Sequence, residues 1–265
     1  MHVSYLETVV HCKKVFEAYG SSYGYAEDGA EAVAWGEFVG LPGLQTLASE
    51  VSMLNLRREV ESQFLVEQDD FTVIDCGGQS GLLLGKALVD YAMSRLGLSE
   101  VQVVYVQNTS TSRLLAQQAF YVASKGKGCV IIYHTKEEIP VIILSSPQRR
   151  YPIVVEGRKV EDLFEAISNE DLLIEKQLKS SNDFMIICLK NLESINGLIE
   201  KVLDEPSDTS VTIIESEKLE ASWNHSWQYG AKADRLVWDE LYKSGCKTLV
   251  ESTEQSRIRG AGELA

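Results

Sequence analysis

Cys76-Gly-Gly-Gln-Ser-Gly81 stands between a short apolar run, Phe71–Asp75, and an amphipathic stretch that begins at Leu82. A glycine turn that opens a helix presents unpaired backbone N–H groups to an anion. Gly77, Gly78, Ser80 and Gly81 are therefore candidate cofactor-binding positions. The dinucleotide pattern G-x-G-x-x-G is only partly met. Gly78 and Gly81 fit its last two glycines, but Cys76 stands at the first. The following apolar run, Val101–Val106, leads into Gln107 and Asn108, where that pattern places an acid for the ribose hydroxyls. A standard Rossmann site is not expected. A tight turn for close strand–helix packing and a different kind of ligand loop both remain open.

Gln107-Asn-Thr-Ser-Thr-Ser-Arg113 also follows a strand-like run and opens a helix. Ligands in α/β folds gather at the carboxyl ends of strands, which makes Asn108, Ser110 and Arg113 candidates; ordinary Ser/Thr capping is the alternative. His134 closes the run VIIYH, and His225 sits between Trp223 and Trp227. Histidine is the usual acid/base group near neutral pH, though a lone histidine at a strand end or among aromatics also serves packing. Arg257 and Arg259, beside Gly260 and Gly262, are candidate forks for an anionic substrate, against a solvated terminus. No histidine pair has metal spacing, and Cys12, Cys76, Cys129, Cys188 and Cys246 are scattered with no CxxC, so no metal is expected.

These residues need elements to position them. Ser4 and Glu7 form a capping-box pattern ahead of a helix ending near Gly20. A second helix is expected over Ala26–Val39, broken by Pro42, and a third from Leu44 to Phe64. Strands are expected at Phe71–Asp75, Val101–Val106, Gly128–Thr135, Val141–Leu144, Pro152–Val155, Phe184–Leu189 and Val211–Glu215. Helices are expected at Leu82–Leu96, Thr111–Lys125, Val160–Ile167, Asp171–Leu178, Leu192–Leu203 and Ala231–Lys243. Such alternation implies βαβ units around a buried sheet. The chain divides into an N-terminal helical segment, 1–66, and an α/β core, 67–265, packed as one unit.

Composition narrows the partners. The chain has 265 residues, 45% of them hydrophobic, enough for a substantial core. The net charge of −14 disfavours nucleic acid and anionic membrane surfaces. No apolar run reaches membrane-spanning length, and the first residues lack the pattern of a signal peptide. An odd, scattered set of cysteines fits a reducing, cytoplasmic compartment. A small anionic molecule is the expected partner.

VIDCGGQSGLLLGKALVDYAM, the loop Val104–Arg113, GCVIIYHT and AEDGAEAVAWGEFVG together resemble the L-malate/L-lactate/sulfolactate dehydrogenase-type family over roughly residues 1–145. Tyr23–Val33 and Ser252–Gly262 also resemble stretches of a bacterial family of unknown function. The first resemblance implies an α/β fold with a three-layer mixed sheet, sulfolactate-dehydrogenase-like rather than Rossmann. It also implies NAD or NADP as cofactor, a 2-oxo, 2-hydroxy or imino acid substrate, and a homodimer. The family's catalytic loop histidine is replaced here by Thr111, and Gly40-Leu-Pro-Gly43 occupies the region of its Ser-His-Gly motif. Threonine has no useful pKa for proton transfer. Either His134 or His225 donates the proton, or the fold serves a binding or regulatory protein, or a lyase or isomerase. From the glycine pattern alone, Gly81→Val is expected to abolish ligand binding and leave the chain folded, as calorimetry and circular dichroism would show.

Overall fold

Period-two burial along the strands sets the architecture. In the computed structural model, which describes residues 1–54, 61–157, 180–204 and 211–246, the central strands are buried on both faces. Val104, Val106, Ile131, Tyr133, Ile186 and Cys188 face one helical layer. Val103, Tyr105, Val130, Ile132, Met185 and Ile187 face Ile195, Leu198 and Ile199 on the other side. The result is a three-layer α/β fold.

The elements in chain order are β1 (His2–Val3), α1 (Tyr5–Ala18), α2 (Tyr23–Phe38), α3 (Gly43–Leu54), β2 (Gln63–Glu67), β3 (Phe71–Asp75), α4 (Gly81–Arg95) and β4 (Val101–Gln107). A 3-10 turn (Arg113–Leu115) leads into α5 (Ala116–Ser124), β5 (Gly128–His134), β6 (Pro140–Ser146) and β7 (Arg149–Glu156). Then come β8 (Phe184–Leu189), α6 (Leu192–Asp204), β9 (Thr212–Ile214), α7 (Ser216–Tyr229), β10 (Ala231–Lys232) and α8 (Arg235–Gly245). The main sheet has eight strands in the order β2-β3-β4-β8-β5-β6-β7-β9. Among the described residues, β3 and β4 are the strands that pair in parallel, across α4. β8 lies antiparallel between β4 and β5, so the carboxyl ends of β4 and β5 share one edge of the sheet. β1 and β10 form a separate two-stranded ribbon. Among the described residues, no helix is long and apolar enough to cross a membrane.

Local chemistry explains several boundaries. Ser4 and Glu7 close the expected capping box, with the Glu7 amide donating to Ser4 Oγ at 3.2 Å and the Ser4 amide to Glu7 Oε2 at 2.8 Å. Gly20 takes the left-handed conformation just beyond α1, with φ +83°. Pro42 separates α2 from α3 as expected.

Other expectations are corrected. The third helix ends at Leu54, residues 55–60 lie outside the described set, and Phe64 belongs to edge strand β2. β2 is exposed on both faces and is held by pairing with β3, which leaves no local apolar period to read. The sheet is mixed, as expected, with β8 from far along the chain inserted antiparallel between β4 and β5. The helix expected from Thr111 begins only at Arg113, since Thr109 and Ser110 bond to the glycine loop. α7 was not anticipated, and Ala231–Lys232 pair with His2–Val3 before α8 starts at Arg235. The helices expected at Val160–Ile167 and Asp171–Leu178 lie outside the described residues.

Gly43 marks a close helix contact near the site. A Cβ there would overlap the Val33 carbonyl oxygen and approach the Glu37 amide to 2.9 Å. Overpacking of this kind costs about 1–3 kcal/mol, so Gly43→Ala should lower the unfolding free energy by that order in urea titration.

Candidate functional site

The carboxyl ends of β4 and β5 open into a cavity of about 250 Å3 beneath α3. α3 contributes Thr46, Ser49 and Glu50, the loop after β4 contributes Ser110 to Arg113, and the turn after β5 contributes Thr135, Lys136 and Glu137. Glu50 is its buried acid, 6% exposed. It occupies the apolar stripe of α3 with Leu47 and Leu54, both buried. That stripe is the sequence signal that could have singled it out.

Glu50 holds two hydroxyls. Ser80 Oγ and Ser110 Oγ both donate to its Oε2, the latter at 3.0 Å. Burial pushes the Glu50 carboxyl above the ordinary carboxylate range, against the opposing pull of Ser80, Ser110 and Lys136. Ser80 also caps α4 by accepting from the Leu82 amide at 3.1 Å, and Ser110 Oγ accepts from the Gly81 amide at 3.1 Å. One carboxylate thus joins α3, the glycine loop and the loop after β4.

The glycine loop spends its donors internally. The Gly77 amide donates to Asp75 Oδ1 at 2.7 Å, Gly78 to the Asn108 carbonyl, and Gln79 to the Cys76 carbonyl at 2.9 Å. Gly77 and Gly78 take positive φ, 57° and 78°, as does Asn108 at 55°. A Cβ on Gly81 would overlap the Ser110 carbonyl oxygen. Gly81→Val therefore strikes the backbone of the neighbouring loop, so loss of folding replaces the expected selective loss of binding. A nicotinamide dinucleotide needs free donors for its pyrophosphate and an acceptor for its ribose. This loop, with its Gly77, Gly78, Gln79 and Gly81 amides engaged and Gln107-Asn108 at the strand end, does not offer the pyrophosphate cradle of a Rossmann site.

The remaining candidates separate. Thr111 lines the cavity, its hydroxyl donating to the Ser181 carbonyl at 3.1 Å and the His134 carbonyl at 3.4 Å. Arg113 also lines it, but its guanidinium grips Glu156 in a fork with contacts of 2.5 and 2.6 Å. Asn108 sits beside the cavity, its amide donating to Asp183 Oδ1 at 3.0 Å and its side chain to Asp75 Oδ1 at 3.3 Å. His134 meets the site through its carbonyl; its side chain is not part of the cavity lining. His225 lines a different cleft. Arg257 and Arg259 lie outside the described residues. Among the described residues, no group of His, Cys, Asp or Glu could hold a metal ion. Glu50 and Lys136 were not anticipated from the sequence.

A family described as a protein of unknown function (DUF3726) matches residues 3–76. No curated protein matches the chain. Among solved structures, malate dehydrogenase from Pyrococcus horikoshii OT3 is 14% identical with a TM-score of 0.68, covering 95% of this chain and 96% of that one. Sulfolactate dehydrogenase from Methanocaldococcus jannaschii is 14% identical with a TM-score of 0.64, covering 94% and 97%. Delta1-piperideine-2-carboxylate reductase from Pseudomonas syringae pvar. tomato is 10% identical with a TM-score of 0.61, covering 92% and 99%. The chain has the malate/sulfolactate dehydrogenase-type fold, not the Rossmann fold.

The Glu50 network has a pH signature. Its folded-state pKa lies above the unfolded value of about 4.3. The stability it contributes is therefore present below that value and is lost as pH rises through the folded pKa. Glu50→Gln does not titrate and keeps an acceptor for the hydroxyls, so it should gain on the wild type as pH rises from 4 to 8 in thermal unfolding. Glu50→Ala leaves two buried hydroxyls without their acceptor and should cost about 1–3 kcal/mol.

Proposed function

We propose that the chain binds a small 2-oxo, 2-hydroxy or imino acid in the Glu50 cavity and moves a proton to or from it through Glu50. The observation that carries this reading is a buried carboxyl with a raised pKa lining a cavity that Lys136 also lines. Perturbed carboxyls in clefts mark acid/base sites. Lys136 pairs with the carboxylate of the acid, and the Ser110 and Thr111 hydroxyls face its carbonyl, hydroxyl or imine atom. Ser110, already bonded to Glu50, relays the proton. A carboxyl held above its ordinary pKa keeps a proton closer to neutral pH, as a general acid requires.

Likeness to dehydrogenases and a reductase supports a redox form of this chemistry, for which a bound nicotinamide cofactor would supply or take up the hydride. The engaged amides of the glycine loop favour a second reading, proton transfer alone, as in an isomerase or lyase. Binding without turnover would use the same cavity.

The test is thermal unfolding of the full chain with a panel of 2-oxo, 2-hydroxy and imino acids, each alone and with NADH or NADPH. An acid that occupies the cavity should stabilise the fold by about 2.7 kcal/mol at a hundredfold excess over Kd. Lys136→Ala should weaken that acid about fivefold, the worth of a partly exposed ion pair. Glu50→Gln should keep binding and slow turnover by roughly 100-fold or more. Protection only in the presence of NADH or NADPH selects the redox form. Failure of every acid to protect overturns the proposal.

A further inference from the structure

One polar group in the lining of the Glu50 cavity has no task in the chemistry above. Tyr133 stands one residue from the end of β5 and lines the cavity, yet is only 2% exposed. In the sequence it closes the apolar run Cys129–Tyr133 and reads as core.

Sheet register places its ring. Residues directly opposite on paired strands share a face. Tyr133 pairs with Phe184 of β8 and with Val141 of β6, and Val141 pairs with Glu156 of β7. The ring therefore lies on the face that also carries Phe184, Val141 and Glu156. Arg113 reaches Glu156 on that face from the turn after β4. The charges of Glu156 and Arg113 both act on the phenol, so its hydroxyl stands at the end of the ring that meets this pair and the cavity.

A buried phenol normally finds a hydrogen-bond partner. Tyr133 Oη has none among the described residues. The other hydroxyls of the lining are committed. Thr46 donates to the Pro42 carbonyl at 2.7 Å, Ser49 to the Thr46 carbonyl at 2.8 Å, Ser110 to Glu50 at 3.0 Å and Thr111 to the Ser181 carbonyl at 3.1 Å. Ser112 accepts from the Leu114 amide, and Thr135 from the amides of Glu137 and Ile139. Burial also keeps the Tyr133 proton in place. Loss of water around the phenolate pushes its pKa up, Glu156 adds to this, and Arg113 opposes it. Across the neutral range Tyr133 is therefore a donor.

A donor of this kind is what a 2-oxo acid requires. Negative charge builds on its C2 oxygen as it reacts, and a donor fixed in a site poor in water stabilises that charge. Ser110 and Thr111 already give their protons elsewhere.

We propose that Tyr133 is the specificity-determining donor of the Glu50 cavity, its hydroxyl hydrogen-bonding the C2 oxygen of a bound 2-oxo acid. The assignment rests on the acid-binding reading given above. It narrows the ligand to acids that carry an oxygen at C2, over the same acids without it. Tyr133 keeps its proton; the one that is transferred passes through Ser110 from Glu50.

Tyr133→Phe removes the hydroxyl and keeps the ring. Isothermal titration calorimetry of the full chain compares pyruvate with propanoate, 2-oxobutanoate with butanoate and 2-oxoglutarate with glutarate. The wild type should bind the 2-oxo member of at least one pair about tenfold more tightly, the worth of one buried hydrogen bond. Tyr133→Phe should erase that preference and leave the affinity of the unsubstituted acid unchanged. Its thermal midpoint should equal or exceed that of the wild type, because the lost hydroxyl has no partner to leave behind. Lys136→Ala should weaken both members of the pair alike and preserve the preference. A preference that survives in Tyr133→Phe, or a lowered midpoint in that variant, would overturn the role of Tyr133 while acid binding itself stands. Absence of binding by all six acids in the wild type would overturn the acid-binding reading and this assignment together.

Discussion

A carboxylate taken out of water must be given hydrogen bonds or lose its charge. Glu50 meets that constraint with Ser80 and Ser110. Those partners stand 30 and 60 residues away along the chain, so satisfying one side chain fixes three segments relative to each other. α3 is drawn down over the sheet edge, the glycine loop is closed against the loop after β4, and Thr111 is left facing the cavity. Ser80 and Ser110 serve twice, as partners of the acid and as acceptors for the amides that begin α4. A group that organises the backbone and also keeps a raised pKa is suited to hold a proton at a fixed place.

The surrounding charges are arranged with similar economy. Arg113 is gripped by Glu156. Asp183 is buried and accepts from both Tyr105 Oη and the Asn108 amide. Asp75 steadies Gly77 and Asn108. These pairings hold the loops at the strand ends. Lys136 and Glu137 of the turn after β5 line the small cavity with Glu50, and Lys136 acts on the Glu50 charge. Function on this fold therefore rests on which charges are already spent, a property that the fold itself does not determine.

The glycines illustrate why a motif needs its context. Gly77 and Gly78 hold backbone conformations that favour glycine, and Gly81 allows the approach of the Ser110 carbonyl. The sequence pattern alone fits an anion cradle and a tight turn equally well. Only the hydrogen-bond partners of the amides separate the two, and those partners come from Asp75, Asn108 and Ser110.

Much of the architecture was legible from the chain alone. The apolar runs at Phe71–Asp75, Val101–Val106, Gly128–Thr135 and Phe184–Leu189 specify buried strands, because their composition and period need no partner to be read. The capping box at Ser4 and the break at Pro42 are local chemistry. Resemblance added the fold type and placed Thr111 in the site. Tertiary structure decided the rest. β2 exists through its hairpin with β3 and β10 through pairing with the distant β1, and β8, from far along the chain, inserts antiparallel between β4 and β5 in the mixed sheet. Glu50 looked like any acid on a helix until burial raised its pKa, and Lys136 like any turn lysine. His225 was a plausible partner for Thr111 by residue type, but the fold places it in another cleft. Residue type sets what a side chain can do; burial and neighbours, which depend on chain segments far apart in sequence, set whether it does it.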